Sequence, residues 1–329
     1  RWRYSNDNFT GIRIMGIFQN HLMGAAAAAA SGGGDTSATI LIAGGYESVN
    51  VINRILSSSA ANATDFGDLN AGRYGGQGAG NATIGLFGGG SDGSYMDEID
   101  KIVIASSGNA SDFGNLTQSR QDLCAGTHND TRAVFAGGYT GSYVNTIDYS
   151  TFASAANAVD FGDATTSYFG GGQQGGGNGT RGLFGLTSSA SGATQSIDRI
   201  NIASTGNAAD FGDSGTATTV SAGCGNDTKY FMAGGWVNGS TYVDDLLVCN
   251  ISSDGNMTDF GDITAGGRYG SAGASSKAKG TVSQGQRGGN TNEINQWNLA
   301  SSGNTTDFGD CTNSVQKSMA VSNNDGGTS

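Results

Sequence analysis

Short apolar runs recur along the chain and are separated by stretches rich in Gly, Ser, Asn and Asp. Examples are Ile40 to Ile42, Ile102 to Ile104 and Leu246 to Val248. Short strands joined by turns leave this pattern, whereas no segment carries the sustained apolar stripe of a helix. The pattern predicts an all-β protein built from many short strands and glycine-rich turns.

A repeat organises these strands. The tetrapeptide Asp-Phe-Gly-Asp, or a near copy of it, recurs six times at intervals of 47 to 50 residues. A period of this length is typical of propeller blades with four strands each. The phenylalanines of the copies are equivalent large apolar groups, and we expect each to wedge between adjacent blades and stabilise the ring. They are Phe66, Phe113, Phe161, Phe211, Phe260 and Phe308.

The two ends of the repeat region are complementary. After the last copy of the tetrapeptide, only Ser314 to Asn324 remains as a strand-like segment, and the first unit, from about Thr39, lacks that strand. We therefore expect the C-terminal strand to complete the first blade, which closes the ring and leaves only short protected edges. The sequence predicts a single six-bladed β-propeller with four-stranded blades over residues 38–329.

The repeats resemble those of the kelch family. A Gly-Gly pair, an Asn- or Asp-containing strand, an aromatic-anchored strand and then Arg follow in the kelch order, with Phe in place of the usual kelch Trp. Ser204 to Asp213 and Val134 to Tyr139 further resemble kelch-like repeats in structural proteins of tailed phages, especially marine and cyanobacterial ones. The resemblance covers roughly residues 38 to 325. It implies a virion protein of the tail, fibre, neck or capsid surface.

The segment before the repeats has a different composition. An alanine run, Ala25 to Ala30, is followed by Ser31 and three glycines, so we interpret residues 25–37 as an Ala/Gly-rich linker. Residues 1–24 are then an N-terminal arm that anchors the protein to other virion proteins. A strand or loop folded against the propeller is the alternative. The sequence opens on Arg1 rather than Met, so we expect a processed chain or a fragment.

Charge and composition exclude several partners. The net charge is −12, which disfavours nucleic acid because phosphate binding needs clustered Lys and Arg. No apolar run is long enough to span a membrane. The four cysteines share no metal-ligand spacing, and only His21 and His128 could serve a His-based catalytic or zinc site. We expect no enzyme, because catalysis on this scaffold would need a deep central pocket with a metal or paired acids.

The carboxylates of the repeated tetrapeptide have two interpretations. Asp side chains accept hydrogen bonds from nearby backbone N–H groups in turns, and we expect that role, with no cofactor and no metal. A calcium site is the alternative. It would need six to eight oxygens around one point, and the chain has no contiguous Asp-x-Asp-x-Asp-Gly loop.

One repeat position alternates around the ring. After the Gly-Gly strand, blades 1, 3 and 5 carry an aromatic residue, whereas blades 2, 4 and 6 carry Ser91, Thr187 and Gln286. A closed ring places the three aromatics on one face, where Tyr and Trp suit contact with carbohydrate or protein. Packing on adjacent loops with little exposure is the alternative. The predicted ligand- and receptor-binding residues are Tyr46, Tyr139 and Trp236.

These observations give an expected function. We expect a non-enzymatic virion structural protein of a tailed phage, located on the particle surface. Its propeller would be displayed for decoration or for attachment to a host glycan or protein, as in a tail fibre. A secreted or cell-surface, lectin-like kelch propeller that binds carbohydrate is the alternative.

Overall fold

The computed structural model describes residues 37–170, 175–185, 188–189, 192–237 and 241–325. In these ranges the chain forms β-strands and turns without a helix, and six four-stranded antiparallel blades follow one another. The predicted all-β, six-bladed propeller is confirmed. The predicted arm, residues 1–24, and the predicted linker up to residue 36 lie outside the described residues.

The strands of blades 1 to 3 are numbered in chain order and given from the axis outward. Blade 1 contains β27 (Met319–Ser322), β1 (Thr39–Ala43), β2 (Val51–Leu56) and β3 (Thr64–Asp68). Blade 2 contains β4 (Gln77–Gly80), β5 (Ile84–Ser91), β6 (Tyr95–Val103) and β7 (Ser111–Asn115). Blade 3 contains β8 (Ala125–His128), β9 (Arg132–Ala136), β10 (Val144–Thr151) and β11 (Val159–Phe169).

Blades 4 to 6 repeat the same order. Blade 4 contains β12 (Gly176–Gly177), β13 (Arg181–Gly185), β15 (Gly192–Asn201) and β16 (Ala209–Thr218). Blade 5 contains β17 (Ala222–Gly225), β18 (Lys229–Ala233), β21 (Asp245–Asn250) and β22 (Thr258–Asp262). Blade 6 contains β23 (Ala272–Ser275), β24 (Lys279–Ser283), β25 (Thr291–Asn298) and β26 (Thr306–Val315).

Three short strands lie outside this scheme. β14 (Ser188–Ser189) pairs with both β11 and β15 and so joins blades 3 and 4 into one sheet. β19 (Trp236–Val237) and β20 (Thr241–Tyr242) form a small hairpin that follows β18 in blade 5. These additions make the connections between the second and third strands of blades 4 and 5 differ from those of the other blades.

The chain closes its own ring. β27, near the C-terminus, pairs antiparallel with β1, and Ile42 is opposite Ala320. This confirms that the C-terminal strand completes the first blade. Pairing between the two ends of the repeat region covers the inner edge of β1, which would otherwise expose unpaired backbone groups.

Apolar clusters fill the spaces between adjacent blades, and one phenylalanine of the repeated tetrapeptide lies in each. The cluster around Phe113, for example, includes Leu86 of blade 2 and Phe135 of blade 3. All six phenylalanines are buried, so each stabilises a blade junction by about 1.5–3 kcal/mol. The six clusters contain Phe66, Phe113, Phe161, Phe211, Phe260 and Phe308.

Backbone contacts of the same tetrapeptide tie each blade to the next. The Asp68 N–H donates to the Asn109 side-chain oxygen at 3.1 Å, and the Ala110 N–H donates to the Asp68 carbonyl at 2.8 Å. Gly67, with φ +150°, lies so close to blade 2 that a Cβ would come within 2.1 Å of the Gly108 carbonyl oxygen. Only glycine fits there. The asparagine contact recurs at every blade junction, including the closing one, where Asn62 binds Asp310.

Buried arginines occupy one repeat position at three junctions. Arg120 pairs with Asp148 at 2.8 Å, and Arg73 pairs with Asp100 at 3.0 Å. Burial lowers the pKa of Arg268 to about 10, and the neighbouring Glu293 opposes that shift. These cations serve the packing of the ring, as their fixed spacing along the sequence indicates.

The cysteines are small buried groups. All four thiols are buried and unpaired, and burial raises the pKa of Cys249 and of Cys311 to about 12. A thiol in such surroundings stays protonated and unreactive. Within the described ranges, no helix is long and apolar enough to cross a membrane.

Candidate binding face

One end of the ring carries two kinds of connection. They are the loops between the second and third strands of each blade and the segments that join one blade to the next; we call this end the top face. Short antiparallel contacts join the two kinds around the ring. They pair Tyr46 with Gln316, Ser91 with Tyr74, Tyr139 with Gln121, Trp236 with Thr219, and Gln286 with Tyr269.

Glycine pairs place the side chains that follow them on this face. Gly137 has φ +64° and Gly138 has φ +122°, and both angles are unfavourable for residues with a Cβ. The Gly138 N–H donates to the Tyr168 carbonyl at 2.9 Å, and the Tyr139 N–H donates to the Gln121 carbonyl at 2.8 Å. The chain therefore turns sharply at the end of β9 and presents Tyr139 at the top.

The three predicted aromatics lie at equivalent positions of the top face, but the structure does not bring them together. Tyr46 is 44% exposed, and Tyr139 and Trp236 are half-buried. Each packs on different aromatic neighbours. Thr187, which the sequence places at the same repeat position in blade 4, lies outside the described residues.

Further tyrosines contact the three predicted residues, and the sequence interpretation missed them. Two of them follow a buried arginine in the triplet Arg-Tyr-Gly, at residues 73–75 and 268–270, which is the signal that could have revealed them. The others stand at the start of β6 in blade 2, just before β10 in blade 3 and in β20 of blade 5. The added residues are Tyr74, Tyr95, Tyr143, Tyr242 and Tyr269.

A stack of three rings spans blades 5 and 6. Trp236 and Tyr269 have ring centroids 5.4 Å apart and an interplanar angle of 20°. Tyr242, the cross-strand partner of Trp236 in the small hairpin, lies 5.8 Å from Tyr269 at 6°. The near-parallel planes show that the rings pack face to face rather than edge-on.

Two more rings lie toward blades 1 and 2. Tyr46 packs on Tyr74 with centroids 5.1 Å apart and an interplanar angle of 59°. The Lys317 ammonium lies 5.8 Å from the Tyr74 ring centroid. Burial raises the pKa of Tyr269, and the nearby Lys317 ammonium opposes that shift. Lys317 thus lies between the two groups of rings. We call Trp236, Tyr242, Tyr269, Tyr46 and Tyr74 the aromatic arc.

A second aromatic group lies at blades 2 and 3. Tyr139 contacts Tyr95 edge-on at 6.0 Å and Tyr143 at 5.6 Å. We call these three residues the blade 3 patch. Its rings are tilted or perpendicular to one another.

An ion pair on the top face joins the segments that lead into β8 and β27. Lys317 Nζ lies 2.9 Å from Asp122 Oδ1, and both residues have left-handed backbones, with φ of 56° and 51°. Gly75 lies beneath the pair, since a Cβ there would lie 2.5 Å from the same Asp122 oxygen. Such backbones cost about 1–2 kcal/mol each outside glycine, so the surrounding ring must hold them.

The axial channel itself is almost filled. Its cavity has a volume of about 20 Å³, which accommodates about one water molecule. Glycines of the inner strands make this possible: a Cβ on Gly126 would lie 1.9 Å from the Gly78 carbonyl oxygen. Among the described residues the channel therefore offers no room for a substrate.

The carboxylates of the repeated tetrapeptide take part in turns. Asp112 Oδ1 accepts a hydrogen bond from the Gly114 N–H at 3.1 Å, and Asp65 and Asp259 make the same contact. In the described residues, three acidic groups converge at one place: Asp244 and Asp245 come within 4.8 Å of each other and of Asp262, the last residue of the blade 5 tetrapeptide. Burial, followed by the neighbouring carboxylates, raises the pKa of Asp245. Among the described residues this grouping occurs in blade 5 and does not repeat around the ring.

Comparison with models of known protein families and with curated proteins finds no match to this chain.

Proposed function

We propose that this chain is a non-enzymatic attachment protein whose top face binds a glycan on a target surface. The main observation in support is the grouping of eight aromatic side chains on that face, five in the aromatic arc and three in the blade 3 patch. Aromatic rings pack on the apolar C–H faces of sugars, and the tyrosine hydroxyls supply hydrogen bonds.

Two features support binding rather than catalysis. The axial channel, where a propeller enzyme would hold its substrate, has a volume of only about 20 Å³. The acids and arginines that recur in the blades are engaged in the packing of the ring, as Arg120 and Asp148 illustrate. A closed ring tied at every blade junction also suits a rigid module that presents a fixed surface.

The virion location rests on the sequence. The repeats at Val134 to Tyr139 and Ser204 to Asp213 resemble kelch-like repeats of tailed-phage structural proteins. In this proposal, the propeller is displayed on the particle surface for host attachment or decoration, and residues 1–24 anchor it to other virion proteins. A lectin-like protein of a cell surface would use the same face.

A binding comparison between the two ends of the ring tests the proposal. The triple variant Tyr46→Ala, Tyr139→Ala, Trp236→Ala should lose binding to an array of oligosaccharides that the parent protein binds. A matched triple variant at the opposite end, Leu56→Ala, Val103→Ala, Val159→Ala, removes exposed apolar residues and should bind as the parent does. Equal binding by the parent and the top-face variant would refute a role for this face.

The location has its own test. Antibodies against the purified propeller should label intact virions that carry the protein, and the label should lie on the particle surface. Recovery of the chain only from cell envelopes or culture medium, with none in purified virions, would favour the lectin alternative.

A further inference from the structure

The two aromatic groups of the top face differ in size and in polar surroundings. The aromatic arc gathers one tryptophan and four tyrosines, whereas the blade 3 patch has three tyrosines. A pyranose ring carries C–H groups on its faces, and these groups pack on aromatic rings. The arc offers more aromatic surface, including the large indole ring, so it is the better platform for a sugar.

Hydrogen-bonding groups stand at the middle of the arc. Lys317 is 19% exposed at its side chain, and its ammonium has three donors, of which Asp122 takes one. Gln316, its chain neighbour, is 8% exposed, and its side chain hydrogen-bonds to Tyr269. Sugar hydroxyls accept hydrogen bonds, so one sugar could take the remaining donors of Lys317.

The backbone fixes these groups in place. The Gly75 N–H donates to the Lys317 carbonyl at 2.9 Å, and the Lys317 N–H donates to the Gly270 carbonyl at 2.6 Å. The left-handed backbones of Lys317 and Asp122 are held by this ring of hydrogen bonds.

The charge around the arc disfavours an acidic ligand. Exposed Glu47, Asp92 and Asp244 stand in the loops of blades 1, 2 and 5 on the same face. The described cations here are already paired, Lys317 with Asp122 and Arg287 with Glu293, each at 2.9 Å. A sugar carboxylate or sulfate would add negative charge to an acidic surface without gaining an unpaired cation.

We propose that the aromatic arc is the principal sugar subsite of the top face and that it takes a neutral sugar rather than an acidic one. The aromatic rings bind the apolar face of the sugar, and Lys317 binds its hydroxyls. This inference rests on the proposed function, because it assigns the glycan of that function to one part of the face.

An array of immobilised neutral and acidic oligosaccharides tests the inference with single variants. The parent protein should bind neutral members and leave sialylated, uronic and sulfated members near background. Tyr269→Ala should reduce the signal on neutral members at least about tenfold. Tyr269→Phe keeps the stack and should retain most of the binding. Tyr139→Ala should cost less than Tyr269→Ala, and Val159→Ala, at the opposite end, should cost nothing.

A paired variant tests the polar groups without leaving a buried charge. Asp122→Asn with Lys317→Gln removes both charges together, and thermal unfolding should show that the ring still folds. We expect it to weaken binding to neutral members at least about tenfold. Wild-type binding by this folded variant would overturn the role assigned to Lys317.

The outcomes separate the inference from the proposed function. Preference for acidic members, or a greater loss from Tyr139→Ala than from Tyr269→Ala, would overturn the inference while leaving glycan binding intact. A parent protein that binds no member of either class would overturn the proposed function and the inference with it.

Discussion

Asp198 is a buried carboxylate without the arginine partner that blade 3 provides. In blade 3, Asp148 at the equivalent position pairs with Arg120 at 2.8 Å. At the next junction, Tyr168 takes the place of the arginine. The backbone shows that the two positions are equivalent, because the Gly90 N–H donates to the Arg120 carbonyl and the Gly138 N–H donates to the Tyr168 carbonyl. Asp198 is therefore the buried acid whose charge the fold compensates least.

The magnitude follows from its pKa. Burial raises the pKa of Asp198 from 3.8 to about 6, although the Thr165 N–H and hydroxyl donate to it at 2.8 and 2.7 Å. Folding therefore favours the protonated carboxyl. The resulting contribution to the free energy of unfolding is fully present below pH 3.8 and is lost as the pH rises through about 6. The loss amounts to about 3 kcal/mol above that range.

Asp198→Asn should remove this loss. Asn53 holds the equivalent position in blade 1, where its Oδ1 accepts hydrogen bonds from the Thr312 N–H at 2.9 Å and hydroxyl at 2.7 Å. An amide therefore suits the site. We expect the variant to be more stable than the parent by up to about 3 kcal/mol at pH 8 and no more stable at pH 3.5.

Urea unfolding followed by tryptophan fluorescence at pH 3.5 and pH 8 measures the difference. Asp148→Asn is the matched control; it removes the partner of buried Arg120 and should destabilise by about 3–5 kcal/mol at pH 8. If Asp198→Asn were equal to or less stable than the parent at pH 8, the account of this uncompensated carboxylate would be wrong.

Other predictions concern the closure of the ring and the thiols. Gly126→Ala should destabilise the ring by at least about 2 kcal/mol, because the new Cβ would meet the Gly78 carbonyl oxygen at 1.9 Å. The control Gly289→Ala adds a Cβ in open space and should change thermal unfolding little. Deleting the chain from Met319 onward removes β27, so the unpaired β1 should drive aggregation, measured by size-exclusion chromatography. The four buried cysteines should resist a thiol reagent at pH 8 and react only after unfolding, so rapid reaction in the folded protein would contradict the assigned burial.

The sequence predicts the fold well because its signals are local and repeated. Phenylalanine recurs where each blade meets the next, and each copy must fill an equivalent space. The ring closure follows from a strand missing at one end of the repeat region and present at the other. The asparagine that binds the preceding blade could also be found from repetition, since Asn109 and its equivalents stand just before each tetrapeptide.

The sequence predicts only part of the candidate site. Tyr46, Tyr139 and Trp236 share a repeat position, so alternation along the chain identifies them. Tyr269 stands in a segment between blades, and only packing shows that it joins Trp236.

The ion pair of the top face could not be predicted at all. Lys317 and Asp122 are 195 residues apart in the chain. They meet because the closed ring brings the segment before β27 near the segment before β8. No local pattern carries that information.

A crystal structure of the propeller with a bound neutral oligosaccharide, chosen as the strongest binder on the array, tests the central claim most directly. The account predicts sugar density on the top face, with a pyranose ring against Tyr269 and a hydroxyl within hydrogen-bond distance of Lys317 Nζ. Density at the opposite end of the ring or along the outer strands, with the aromatic arc unoccupied, would contradict it.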